Sequence, residues 1–180
     1  MDVSDAELIM HWQQGEQHAF ATLVQRWEQP VARFLCHLVG RAEQVPDLCQ
    51  EVFLRLYHAL PRYREAGTFS TWLYRIALNV ARDAGRRRRR EPVPLANGDL
   101  AGPALTPAAA CEQRELAGLV ARAVADLPEP LRLVLVLRHY EEMRFEDIAR
   151  LTGTPASTLK SRFTAALTRL RERLHHLSSD

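Results

Sequence analysis

The chain has 180 residues, 47% hydrophobic and 26% charged, with a formal net charge of +2. This is the balance of an ordinary water-soluble folded chain, long enough for one domain or two small ones. It excludes a membrane-spanning protein, because the apolar run 131–137 already contains Arg132 and is closed by Arg138, where a spanning helix needs about 20 apolar residues. Asp2, Asp5 and Glu7 stand where a secretory leader needs a basic start and an apolar stretch, so a cytoplasmic location without membrane insertion is expected.

The apolar periodicity is helical throughout and no alternating strand pattern occurs, so the fold class is all-α. In the first 60 residues, helices are expected over Asp5 to Gln14, His18 to Val39 and Val45 to Leu60. Pro46 falls in the first turn of the third, where its missing N–H costs nothing, and Pro61 closes it. This stretch is acidic, with four arginines against eight carboxylates. Of the three cysteines, Cys36 and Cys49 fall in apolar helical contexts and Cys111 lies beyond them. Their number is odd and their spacing unpaired, so reduced thiols are expected rather than a disulfide framework or a metal knuckle.

Residues 61–90 reverse the charge, with nine arginines against two carboxylates. After a loop from Tyr63 to Phe69, a helix is expected over Thr71 to about Arg87. Trp72, Leu73, Ile76, Ala77 and Val80 form its apolar stripe. Arg75, Asn79, Arg82 and Arg86 follow on the polar side at steps of four, three and four, ending in the run Arg86 to Arg90. A basic run at a helix end is often no more than a solvated terminus favoured by the helix dipole. Here Tyr63, Phe69, Trp72 and Tyr74 lie beside it, and aromatic surface next to positive charge is the combination that stacks unpaired bases and holds phosphates. Some of these rings must be core, Trp72 first among them.

Residues 91–111 hold four prolines and two glycines without periodicity, which reads as a flexible linker between a first domain, 1–90, and a second, 112–180. In the second, helices are expected over Glu112 to Ala125, Leu131 to Tyr140, Phe145 to Leu151, and from Thr154-Pro155 to about Leu174. Gly153 supplies the left-handed residue that a tight helix-to-helix turn needs. A short helix, a glycine turn and a longer helix make a helix-turn-helix. Leu159, Phe163, Ala166, Leu167, Leu170 and Leu174 are expected to bury against Ile148, Ala149 and Leu151. That leaves Ser157, Thr158, Lys160, Ser161, Arg162, Ala165 and Arg169 facing outward. A major groove about 12 Å wide admits such a helix, and its hydroxyls and cations suit phosphates and base edges.

With these segments in place, the chain resembles the bacterial extracytoplasmic-function sigma factors, which keep two of the conserved regions of larger sigma factors. Asp47-Leu-Cys-Gln-Glu-Val-Phe-Leu-Arg-Leu-Tyr57 resembles their polymerase-binding helix. Gly67-Thr-Phe-Ser-Thr-Trp-Leu-Tyr-Arg-Ile-Ala-Leu-Asn79 resembles the segment that melts and reads the minus-ten element. Leu127-Pro-Glu-Pro-Leu-Arg132 through Lys160-Ser-Arg162 resembles the domain that reads the minus-thirty-five element. The resemblance implies that Asp47, Gln50, Glu51 and Arg55 dock on the clamp helices of the largest subunit of RNA polymerase. It also implies that the Tyr63-to-Phe69 loop, with Arg75 and Asn79, captures flipped bases of promoter DNA. Ala165 departs from the family pattern, in which many members carry an arginine there, so no promoter sequence is carried over. With no fused domain expected after Leu174, control by a separate anti-sigma factor is implied.

A different reading is a stand-alone helix-turn-helix regulator, which would have no use for the cationic aromatic segment and would need dimerisation heptads that are not apparent. An enzyme is disfavoured by the lack of a glycine-rich phosphate loop, a nucleophile motif or metal-spaced His and Cys residues. His175-His176 reads as a frayed helix end, and no cofactor or metal is expected.

Overall fold

The computed structural model describes residues 3–64, 68–90 and 118–177, with the side chains of 88–90 and 176–177 excepted. The expected linker, Cys111 and the centre of the Tyr63-to-Phe69 loop lie outside these residues. Every regular element among the described residues is helical. They group into two compact units, one from residues 3–35 and 44–90, the other from 36–43 and 118–177. No helix among the described residues is long and apolar enough to cross a membrane.

In the first unit, α1 covers Asp5–Gln13. Ser4 caps it in a reciprocal box: its hydroxyl accepts from the Glu7 amide at 3.3 Å, and its own amide donates to the Glu7 carboxylate at 2.7 Å. These bonds hold the Glu7 carboxyl below its ordinary range, the backbone donor contributing most. α2, Gln17–Val39, runs through Pro30, which gives up one internal hydrogen bond. The helix survives because Ala19, Leu23, Val31, Phe34 and Leu35 are all buried along one side. α3, Val45–Ala59, starts on Pro46 as expected and buries Leu48, Cys49, Val52 and Leu56. A short 3₁₀ turn, Leu60–Arg62, then ends the helical path.

α4 spans Phe69–Arg90, beginning two residues before the expected Thr71. Its apolar stripe is wider than the sequence suggested. Leu73, Ala77 and Val80 are fully enclosed, Tyr74 and Leu78 join them, and Trp72 and Ile76 are only half-buried. The rings thus exchange roles: Tyr74 packs on Phe34 at 5.0 Å, while Trp72, expected in the core, keeps part of its surface. Cys36 and Cys49 are free. Burial pushes the Cys49 thiol up to about 11, with Glu28 adding to the shift, so it is protonated at neutral pH.

In the second unit, α5 is visible as helical residues 118–125. α6, Glu129–Leu135, begins two residues before the expected Leu131, because Pro130 fits its first turn. It passes into a π turn over Val136–Tyr140 that buries Val136 and Leu137. α7, Phe145–Thr152, ends on Gly153 with φ 69°, and α8 covers Ala156–Leu177. The Pro155 carbonyl takes the bond from the Leu159 amide at 3.0 Å, so this proline precedes the helix rather than opening it. Val124, Leu127, Leu135 and Ala166 form a core flanked by Val120, Leu131, Phe163 and Leu170. Leu167, expected inside, is 47% exposed, since it lies a helical step of about 100° from Ala166.

A Cβ at Gly153 would meet nothing within 4 Å, so the demand for glycine there is purely conformational. Gly153→Ala is expected to lower the unfolding free energy by about 1–2 kcal/mol, the cost of a left-handed L-residue, and Gly153→Asn by less. A urea titration measures both; equal losses would contradict this cause.

Candidate nucleic-acid and polymerase interfaces

Three surfaces carry the candidate residues, two on the first unit and one on the second. On α4, Arg75, Asn79, Arg82 and Arg86 are all exposed and rise along one side. Asp83, the only carboxylate in this helix, accepts Arg55 at 2.9 Å from α3 and also pairs with Arg86. Arg55 first, then Arg86, hold the Asp83 carboxyl below its ordinary range.

Beside this stripe lies an aromatic patch. Tyr63 is half-buried, with its ring 4.5 Å from Trp72 at 39°. Phe69, expected in the loop, is instead in the first turn of α4 and only 7% exposed. It packs edge-on against Trp27 at 5.8 Å and forms a floor under the other two rings. The Thr68 and Thr71 hydroxyls share a 2.7 Å hydrogen bond, and Ser70 donates to Thr68 at 3.2 Å. An open cleft of about 720 Å³ runs here between Ile9, Met10, Gln13, Trp27, Tyr63 and Phe69, with Arg64 at its side. The Asp5 carboxylate also lines the cleft, but it is engaged by Arg26 and Trp27, so rings, hydroxyls and the Arg64 cation remain to suit an unpaired base and its phosphate.

On α3, Asp47 and Gln50 are exposed, while Glu51 and Arg55 are half-buried. Arg55 is held at both ends, at 2.8 Å to Glu51 and 2.9 Å to Asp83, so it ties α3 to α4. The sequence reading missed the apolar part of this surface: Leu54 is 52% and Tyr57 44% exposed. They border a groove of about 620 Å³ with Phe20, Val24, Cys49 and Phe53, and Tyr57 closes an aromatic trio with Trp12 and Phe20. The signal was present in the sequence, because five of the six residues 52–57 are apolar and one helix face cannot bury them all.

On α8, Ser157, Lys160, Ser161, Ala165 and Arg169 are exposed, and Thr158 and Arg162 are half-buried. Five of the seven face outward as expected, and Thr158 and Arg162 stand partly covered at the border of the core face. Lys160 and Arg138 both stand over the Phe145 ring, at 5.9 and 5.5 Å from its centroid. The exposed Ser161 hydroxyl donates to the Thr158 carbonyl at 2.9 Å, which leaves its oxygen able to accept.

Comparison with known proteins matches the chain in two regions. The family described as Sigma-70 region 2 matches residues 23–91, and Sigma-70, region 4, matches residues 117–170. The ECF RNA polymerase sigma-E factor of Haemophilus influenzae is 35% identical over 175 residues, covering 91% of this chain and 92% of that protein. Among solved structures, CnrH in complex with the cytosolic domain of CnrY matches with a TM-score of 0.73 and 27% identity, covering 96% of this chain and 97% of that one. The sigma factor RpoE of Bartonella quintana, solved with the anti-sigma factor NepR, shares the fold with a TM-score of 0.71 at 20% identity, covering 87% of this chain and 96% of that one. Region 2 followed by region 4 in one chain, with sigma-factor relatives over most of its length, is a sigma factor and not a stand-alone regulator. The chain belongs to the extracytoplasmic-function group of sigma-70 factors, which bind RNA polymerase and promoter DNA to begin transcription and are not enzymes.

Proposed function

We propose that the sigma activity is divided among three residue sets, centred on α3, on α4 with the neighbouring Tyr63, and on α8. Asp47, Gln50 and Glu51, with Leu54 and Tyr57, dock on the clamp helices of the polymerase's largest subunit, and Arg55 keeps that surface aligned with α4. Arg75, Asn79, Arg82 and Arg86 track the backbone of the melted minus-ten segment, while Tyr63 and Trp72 stack on a flipped base over the floor made by Phe69. Extruding a base costs only a few kcal/mol, which ring stacking can offset. Ser157, Thr158, Lys160, Ser161, Arg162 and Arg169 enter the major groove of the minus-thirty-five element.

The observation that carries this reading is that α4 and α8 each pack an apolar side against their own unit, around Leu73, Ala77 and Val80 in one and Leu159 and Ala166 in the other, and turn a basic, hydroxyl- or amide-bearing side outward. Residues 1–90 and 112–180 act as the two domains and 91–111 as the tether between them. The work takes place in the cytoplasm, where polymerase and DNA are. An anti-sigma factor holds the protein in check, as NepR is found on RpoE, by covering the surfaces that polymerase needs.

Arg162→Ala is expected to weaken binding to upstream promoter duplex by about 1–3 kcal/mol while leaving core polymerase affinity unchanged. Glu51→Lys should do the reverse. Fluorescence anisotropy with labelled core and labelled duplex separates the two; equal loss of both activities in each variant would contradict the division. Leu54→Asp places a charge in the apolar part of the docking face and should weaken core binding at least as much as Glu51→Lys, read in the same assay.

A further inference from the structure

α1 carries none of the residues assigned to DNA or polymerase, yet it touches both edges of the aromatic patch. At its N-terminal end the Asp5 carboxylate accepts from Arg26 at 2.6 Å and from the Trp27 indole at 3.1 Å. Arg26 also donates to the Val3 carbonyl at 2.6 Å. Trp27, oriented in this way, is the ring that supports Phe69. At the other end, the Gln13 side-chain amide donates to two carbonyls far along the chain, Leu60 at 3.1 Å and Tyr63 at 3.2 Å.

Those carbonyls occupy the place where the helical path gives out. Helix ends are short of internal donors for their carbonyls; here Leu60 accepts from the Tyr63 amide at 3.1 Å and Tyr63 from the Arg64 guanidinium at 3.2 Å, so Gln13 is the donor that reaches both, and Tyr63 is where the backbone turns extended, with φ −61° and ψ 131°. The direction in which the chain leaves α3 decides where the Tyr63 ring stands relative to Trp72. One side-chain nitrogen donates to both carbonyls and holds that direction.

We infer that Gln13 is a positioning residue for promoter opening: by holding the Leu60 and Tyr63 carbonyls it sets the Tyr63 and Trp72 rings at the spacing that receives an unpaired base. The inference rests on the proposed role of these rings in base capture. Gln13 touches no DNA itself and acts through the backbone of Tyr63.

The test uses holoenzyme and a promoter selected by the wild-type holoenzyme from a random duplex library. Three affinities are read by anisotropy: for core polymerase, for the upstream duplex, and for a labelled single strand spanning the melted segment. Thermal unfolding is followed in parallel. Gln13→Met keeps the length and loses both donors, and is expected to weaken single-strand binding about three- to tenfold, with the other two affinities unchanged. Gln13→Glu sets a carboxylate against two carbonyl oxygens and should weaken it further. Gln13→Lys, which keeps a donor of similar reach, should restore most of the affinity. Tyr63→Ala serves as the control for the rings themselves. If Tyr63→Ala loses single-strand binding while Gln13→Met and Gln13→Glu stay within about twofold of wild type, the inference is overturned and base capture stands. Parallel loss of all three affinities overturns it as well, because a general structural defect would then explain the effect. If Tyr63→Ala changes nothing, base capture falls and the role of Gln13 falls with it.

Discussion

A helix with a tail of consecutive arginines repels itself, and α4 is held in shape by what its opposite face can bury. Leu73, Ala77 and Val80 are fully enclosed, with Tyr74 and Leu78 beside them. Removing such apolar surface from water stabilises the unit by roughly 25 cal/mol per Å², against cation repulsions that water and salt screen over about 10 Å. Burial prevails, so the outward face is free to be basic. The arrangement at Asp83 extends the same logic: one carboxylate takes an arginine from its own helix and one from α3. The Arg55–Asp83 pair, about one-third exposed, adds a modest amount to stability and ties α3 to α4; Arg86, at 66% exposure, adds less.

The second unit solves the same problem with different means. α8 is anchored through Leu159, Phe163, Ala166 and Leu170, and its first two turns present hydroxyls among the cations. Phe145 lies under Lys160 and Arg138, so the opening residue of α7 restrains a cation of α8 at a cost that cation–π attraction offsets. The tight turn at Gly153 sets how α7 crosses α8 and thereby which residues of α8 remain uncovered. Local backbone geometry and the candidate DNA face are in this way linked through one residue.

Most of this architecture was legible because its signals are local. Pro46 and Gly153 mark boundaries where the structure has them, and the 3.6-residue period placed seven of the eight helices to within a few residues, the start of α5 falling outside the described residues. The errors have physical causes. Phe69 was read as the end of the loop and the helix as starting at Thr71, whereas the burial of Phe69 against Trp27 draws the helix start back by two residues. Tyr74 and Leu78 were left out of the core because the stripe was drawn too narrow for a helix packed on both α2 and α3. Leu54 and Tyr57 were overlooked as exposed because apolar residues on a helix are read as inward by default. The hold of Gln13 on Leu60 and Tyr63 leaves no periodic trace, since side-chain-to-backbone bonds across 47 and 50 residues follow from tertiary packing alone.

The central claim is that α4 meets melted DNA and α8 meets duplex DNA in the same initiation complex. Site-specific photocrosslinking in a holoenzyme–promoter complex tests it most directly, with probes placed next to Trp72 on α4 and next to Arg162 on α8. The account predicts adducts from α4 within the single-stranded segment and adducts from α8 within the duplex upstream of it. Adducts from both helices in one and the same segment, or adducts to polymerase alone, would contradict it.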